Sequence, residues 1–263
     1  MTTETLHARL WGQRARDWAD VQEAMVRPVY DAVLAALDPE PGLRLLDVGC
    51  GAGLFAQLAA GSGAVVCGID AAGPMLDIAA DRVPAGEFQK GDLEALPYPD
   101  RDFDVVTGFN AFQFAANPSR ALAEAARVVR PGGTVVVVTW GEPLHMPAAS
   151  VITALRPLLP PPPANAPGPF ALSDRAALTG FAEGSGLKPK QVIDVDSPFQ
   201  YPNLATALRG LNSSGVAAAA IERAGEDAVT AAHTAALAPF LKPDESYLIP
   251  ATFRCLIALR ALG

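Results

Sequence analysis

Cysteine is scarce in this chain: three in 263 residues, at positions 50, 67 and 255, at spacings that match no metal-ligand pattern. They read as buried thiols, and no metal site is expected. Long apolar runs are missing too. Half of the residues are hydrophobic, yet no uninterrupted stretch approaches the ~18 residues of a spanning helix. That apolarity therefore belongs to the core of one large domain, or of a domain with a cap, and no membrane association is expected. Residues 1–16 hold Glu4 and Arg9 without an apolar centre; they do not resemble a secretory signal, so a cytoplasmic location is expected. Basic clusters are absent, with 20 Lys and Arg against 28 Asp and Glu and a net charge of −8. A nucleic-acid partner would need a basic stripe to meet its phosphates, so a small-molecule substrate is the expectation. No internal repeat is present, and the oligomeric state is not legible.

What is there divides into three parts. Residues 1–40 read as a helical N-terminal lid: Trp11, Arg14 and Trp18 are spaced three and four apart, as on one helical face, and Pro28 opens a second helix that turns Val29, Val33 and Leu37 inward. Residues 41–142 alternate strand and helix, with strands expected near 43–48, 65–69, 86–90, 103–108 and 134–140. Asn117-Pro118 caps and opens one of the intervening helices, and Pro131-Gly132-Gly133 ends it. Such alternation implies a parallel sheet with right-handed crossovers. Residues 143–263 begin with a proline-rich connection containing Pro160 to Pro163, best read as stiff and irregular. A helix over 173–185 with Ser173 as its cap, a strand over 190–199, an Ala-rich helical cap over about 200–243 and a last strand over 247–259 follow. The fold class expected is α/β: a Rossmann-like, doubly wound, mostly parallel seven-stranded sheet with an N-terminal lid and a helical cap inserted before the last strand.

Function is expected at residues 43–53, L-R-L-L-D-V-G-C-G-A-G. A buried strand runs into a glycine-rich turn and then a helix, as where an open α/β sheet receives a nucleotide-like ligand. Asp70, about 20 residues on, suits a nicotinamide or flavin dinucleotide as well as other nucleosides. Three features turn the balance away from a dinucleotide. Asp47 stands two residues before the first glycine, Gly91-Asp92-Leu93 sets a second acidic residue at the sheet edge, and a Pro-Gly-Gly turn closes the series at 131–133.

In that order these segments resemble the class I S-adenosylmethionine-dependent methyltransferases, in particular the small-molecule group that includes the ubiquinone/menaquinone-biosynthesis type. The resemblance is carried by 46–53 (LDVGCGAG), 68–70 (GID), 91–98 (GDLEALPY), 103–106 (FDVV) and 128–133 (VVRPGG), and spans about residues 40–141. It implies S-adenosylmethionine as cofactor, Gly49, Gly51 and Gly53 letting backbone approach its methionine part and sugar, and Asp47 facing its ammonium. Asp70 would accept the two ribose hydroxyls, and Asp92 with the amide of Leu93 would meet the adenine edge. Asn110, at the end of the fourth strand, would join the cofactor site. The segment 108–114 would shape the acceptor side, and its lack of an Asn/Asp-Pro-Pro-aromatic sequence argues against methylation of planar amino groups.

A sulfonium is already an activated leaving group, so the protein has mainly to align an acceptor and exclude water. Near-attack positioning is worth roughly 7–11 kcal/mol, more than a general base usually contributes. Trp11, Trp18, Phe112 and Phe114 are the candidate substrate-binding aromatics. Of the three histidines His145, just past the fifth strand, is the candidate base, with His7, His233 and Glu142 behind it. The expected activity is methyl transfer to O, C or N of a small, apolar metabolite; the alternative is a non-methylating use of the same fold, as a cofactor-retaining cyclase or a binding module.

Overall fold

The computed structural model describes residues 3–161 and 168–262. Its centre is a seven-stranded sheet built from β1 (Arg44–Val48), β2 (Val65–Asp70), β3 (Glu87–Lys90), β4 (Phe103–Phe109), β5 (Val129–Trp140), β6 (Leu187–Asp196) and β9 (Thr252–Arg260). The order is β3-β2-β1-β4-β5-β9-β6, while β7 (Phe199–Tyr201) and β8 (Tyr247–Ile249) pair separately. Every pairing from β3 to β5 is parallel, and β9 alone runs against its neighbours. Strands covered on both faces must be apolar throughout, and Val135 to Val138 of β5 are all buried. Helices Arg27–Leu37 and Leu54–Gly61 cover one face over Val33, Phe55, Val138 and Ile257. Helices Pro118–Val128 and Arg175–Glu183 cover the other over Val106, Leu122, Leu178 and Leu256.

The chain reverses direction of travel across the sheet between β1 and β4. Ligands of open α/β sheets sit at the carboxyl ends of the strands at such a switch point. Here that edge is roofed by two helical segments. One is the N-terminal arm, with helix Thr3–Gly12 and a π turn at Trp18–Gln22. The other is the cap, formed by helices Leu204–Leu211, Gly215–Ala224 and Glu226–Leu237 between β7 and β8. Asn203 and Ser214 cap the first two cap helices through the amides of Thr206 and Ala217. Arm and cap are joined by ion pairs Arg9–Glu222, Arg14–Glu226 (2.6 Å) and Arg209 with Asp17 (2.6 Å) and Asp20 (2.9 Å). Trp11 packs on Gly215, where a Cβ would fall 2.6 Å from the indole nitrogen.

Several local expectations are corrected. Trp11 and Trp18 do not share one helical face: the helix stops at Gly12, which packs on Pro74 with room for a Cβ only 3.3 Å from its ring, and the chain turns there. The helix at 173–185 is capped by Asp174, whose carboxylate accepts from Ala177 N at 2.8 Å, not by Ser173. β5 starts at Val129 because the Pro-Gly-Gly segment forms a register irregularity inside the strand, with Gly132 at φ +74°, and does not precede it. The segment at 190–199 is β6 starting at Leu187, followed by β7. The last segment, 247–259, divides into β8 and β9 around Pro250, which has no N–H for a ladder. Of the proline run, Pro162 and Pro163 lie outside the described residues. Among the described residues no helix is long and apolar enough to cross a membrane.

Candidate functional site

The glycine turn follows β1 in a conformation that only glycine adopts without strain, with Gly49, Gly51 and Gly53 all at positive φ. Two of the three are also forced by packing. A Cβ on Gly49 would lie 2.7 Å from Cβ of Ala111, and one on Gly53 2.7 Å from Cβ of Ala79. Close approach at Gly49 joins the turn to the segment after β4, and at Gly53 it seats the turn on helix Gly73–Arg82. A Cβ on Gly51 would meet no clash, lying in ordinary contact with Glu23 Oε1 at 3.7 Å and Trp18 Nε1 at 3.8 Å.

Asp70 ends β2 beneath this turn. Its two carboxylate oxygens accept from Gly51 N (3.0 Å) and Ala72 N (2.8 Å). A carboxylate has about four acceptor sites, so Asp70 holds the turn and keeps capacity for hydroxyl donors. Asp47 lies in β1 beside Thr107 of β4, whose hydroxyl donates to Asp47 Oδ1 at 2.7 Å. It is 2 % exposed, and burial raises its pKa to about 8 against the opposing Thr107 bond, with the charges of Glu23 and Asp70 adding to the rise. Burial likewise raises the pKa of Asp70 and of Glu23. Three carboxylates thus crowd one turn, and the guanidinium paired with them is Arg82, on Glu23. Such a site favours a positively charged ligand.

Asp92 follows β3, and its Oδ1 accepts from Glu94 N at 2.9 Å. Leu93 N finds no acceptor among the described residues. Glu124 and Arg127 fix the downstream loop: Glu124 Oε2 accepts from Leu96 N, and Arg127 donates to the carbonyls of Leu96 and Tyr98, all at 2.9 Å. Asn110 sits at φ +49°, its side chain accepting from Gln113.

On the acceptor side the aromatics separate. Trp11 meets Trp18 and Phe114 edge-on at centroid distances of 5.0 and 5.8 Å, and His7 meets Phe114 at 5.9 Å. Phe112 belongs elsewhere. It is 1 % exposed, packed with Leu46, Val106 and Leu122, its ring filling the space over Gly108; the apolar face of its short helical turn points into the core. The histidines also part company. His145 occupies the exposed turn Pro143–His145 and makes no side-chain hydrogen bond among the described residues. His233 is buried in the cap with Nδ1 2.6 Å from Asn212 Oδ1, and burial lowers its pKa to about 4. His7 is half-buried beside Phe114, bonded to that residue's backbone and within the influence of Asp70; burial lowers its pKa. Glu142 pairs with Arg254 at 3.1 Å. The sequence pattern gave no sign of Glu23, Arg82 or Glu124 and marked Arg127 only as the start of the segment leading to Pro-Gly-Gly; Glu124 and Arg127 pair locally, three residues apart, and the fold sets their bonds to Leu96 and Tyr98.

Residues 46–137 match the family described as methyltransferase domain. These residues form a methyltransferase domain of the class I S-adenosylmethionine-dependent type. The chain is 36% identical over 126 residues to a malonyl-[acyl-carrier protein] O-methyltransferase of Serratia marcescens, covering 48% of this chain and 49% of that protein. It is 39% identical over 127 residues to a demethylmenaquinone methyltransferase of Renibacterium salmoninarum, covering 48% and 52%. The match therefore spans about half the length of these relatives. In fold it resembles the [4+2]-cyclase SpnF, with a TM-score of 0.59 at 22% identity over 89% of this chain and 80% of that one. The glycine turn and Asp70 of this methyltransferase fit S-adenosylmethionine: no side chain stands on Gly51, Asp70 has free acceptor sites, and Asp47 and Asp70 stand where a cation would favour their ionised forms.

Proposed function

We propose that this methyltransferase moves the methyl group of S-adenosylmethionine to an O, C or N atom of a small, apolar metabolite. The observation that carries the reading is the convergence of Asp47, Asp70 and the bare turn at Gly51 beneath Trp18. When bound, the cofactor supplies a methyl carbon on an activated sulfonium. Asp70 would accept the ribose hydroxyls, Asp92 and Leu93 N would hold the adenine edge, and Gly49 with Asn110 would flank the methionine part. Asp47, protonated until a cation approaches, would release its proton on binding and balance the ammonium. The acceptor would meet Trp11, Trp18 and Phe114, whose rings present apolar surface and exclude water. Alignment behind the methyl carbon is the main source of rate. His145 is exposed and His233 enclosed, so neither is assigned as a general base; His7, with one ring nitrogen bonded to backbone, keeps the other to accept a proton. The unpaired Cys50, Cys67 and Cys255 support a reducing, cytoplasmic setting.

Calorimetric titration with S-adenosylhomocysteine tests this on wild type and Asp70→Ala. Micromolar binding by wild type, weakened by at least about 100-fold in the variant as charge-assisted bonds are lost, is the expected result. Wild-type protein that binds none at millimolar ligand would overturn the reading. Binding without methyl consumption across an acceptor panel would move the chain to the alternative, a cyclase or a binding module on this fold.

A further inference from the structure

Glu23 is 2 % exposed, although two neighbouring carboxylates of the same arm, Asp17 and Asp20, lie at the surface in ion pairs with Arg209. Its position answers a problem set by the glycine turn. Helix Leu54–Gly61 begins immediately after Gly53, which has no side chain to cap it and, because of Ala79, no room for one. The first amides of a helix need acceptors, and an anion there is favoured by the helix dipole. Glu23 supplies it from 31 residues upstream: Oε1 accepts from Leu54 N at 3.3 Å. Its other oxygen pairs with Arg82, and Arg82 donates to Ala52 O at 2.8 Å in the turn and to Ala19 O at 3.0 Å in the arm. One ion pair thereby clamps arm to turn at four points. A buried ion pair is weak evidence for stability, since apolar replacements often serve as well; what this pair provides is registration of the arm.

We propose that Glu23 is a positioning residue for methyl transfer: with Arg82 and the amide of Leu54 it locks the arm onto the glycine turn and holds Trp18 over Gly51. The inference rests on the reading of that turn as the S-adenosylmethionine site. Linkage makes the clamp work in both directions, since a ligand that orders the turn also tightens the arm.

The test uses full-length protein carrying Trp140→Phe, so that Trp11 and Trp18 are the emitting tryptophans of a chain with three. Glu23→Gln, Arg82→Gln, the double variant and a control, Arg27→Gln on an exposed helical ion pair, are compared. Acrylamide quenching without ligand reads arm closure; calorimetry reads the Kd for S-adenosylhomocysteine; thermal melts check folding. The two single variants should raise the quenching constant and weaken binding by about 5- to 150-fold. The double variant should be no worse than the more damaged single one, because both act through one pair. Arg27→Gln should change neither. A folded Glu23→Gln with wild-type quenching and Kd overturns the proposal. Loss of cooperative melting in both single variants would make the pair a folding element and overturn it as well. Failure of wild type to bind removes the cofactor reading itself, whereas equal binding by wild type and Glu23→Gln removes only the role of Glu23.

Discussion

Trp11 and Phe114 stand edge-on, ring centroids 5.8 Å apart with planes at 78°. This contact brings the arm onto the segment that follows β4, more than a hundred residues along the chain. The same indole packs on Trp18 and fills the space above Gly215 in the cap. Trp11→Ala should therefore loosen the roof and leave the sheet intact. The expected cost is about 1–3 kcal/mol, below that of a fully buried tryptophan. Hydrogen exchange should rise over residues 5–22 and stay slow in β1, β4 and β5.

Gly53 and Gly186 separate backbone strain from steric conflict. Both have positive φ, +80° and +77°, but a Cβ on Gly53 strikes Ala79 whereas one on Gly186 meets nothing within 4 Å. Gly186→Ala should cost about 1–2 kcal/mol, the left-handed penalty alone. Gly53→Ala should cost about 2–5 kcal/mol, with overpacking added, and should also displace the turn. Urea unfolding gives the first comparison, S-adenosylhomocysteine titration the second.

Asp47 carries a pH dependence with a definite sign. Its pKa rises from an ordinary 3.8 to about 8, burial being the main cause. The folded protein keeps a proton there that the unfolded chain has released, so this contribution to stability is complete below about pH 4 and lost as pH climbs to about 8. Asp47→Asn cannot ionise. Its urea midpoint relative to wild type should move upward between about pH 5 and about pH 8.5, while its cofactor binding falls because the ammonium loses its partner. A midpoint difference independent of pH would show that Asp47 does not titrate in this range.

Arg254 of β9 donates to Asp194 at 2.7 and 2.8 Å, pairs with Glu142 at 3.1 Å and bonds the carbonyl of Ser173. It thus ties both ends of the connection between β5 and helix Arg175–Glu183 to the sheet. Beside it, the hydroxyls of Thr139 and Ser173 are buried and have no hydrogen-bond partner among the described residues. Arg254→Met should destabilise by about 2–4 kcal/mol, somewhat under the value for a fully buried pair because both carboxylates are partly exposed. Asp194→Leu added to it should recover part of that loss, as the stranded charge is removed. Denaturant unfolding of the single and double variants checks both statements.

The β1–β5 half of the fold was legible because β1, β2, β4 and β5 carry apolar runs, as parallel strands buried on both faces must, while the edge strand β3, with Glu87, Gln89 and Lys90, is marked by the Gly91-Asp92 turn that follows it. Less was readable beyond Trp140. Pro250 split the last strand, and a helical spacing carried Trp11 and Trp18 together on paper across a break that Gly12 and Pro74 impose. Phe112 and Phe114, two residues apart, look alike as letters. One entered the core under Gly108 and the other met the arm, a choice made by the direction of a single turn.

The sequence by itself determined the sheet, the bare turn at Gly49 to Gly53 and the carboxylates at 47, 70 and 92, since strand alternation and glycine conformation act over neighbouring residues. Only the tertiary structure decided what surrounds that turn. Glu23 and Arg82 are 59 residues apart, and neither has a local signature that names the other. The same holds for charge: Asp47 is an ordinary aspartate in the chain, and becomes a group that titrates near pH 8 only when folding removes it from water and sets it beside Glu23 and Asp70.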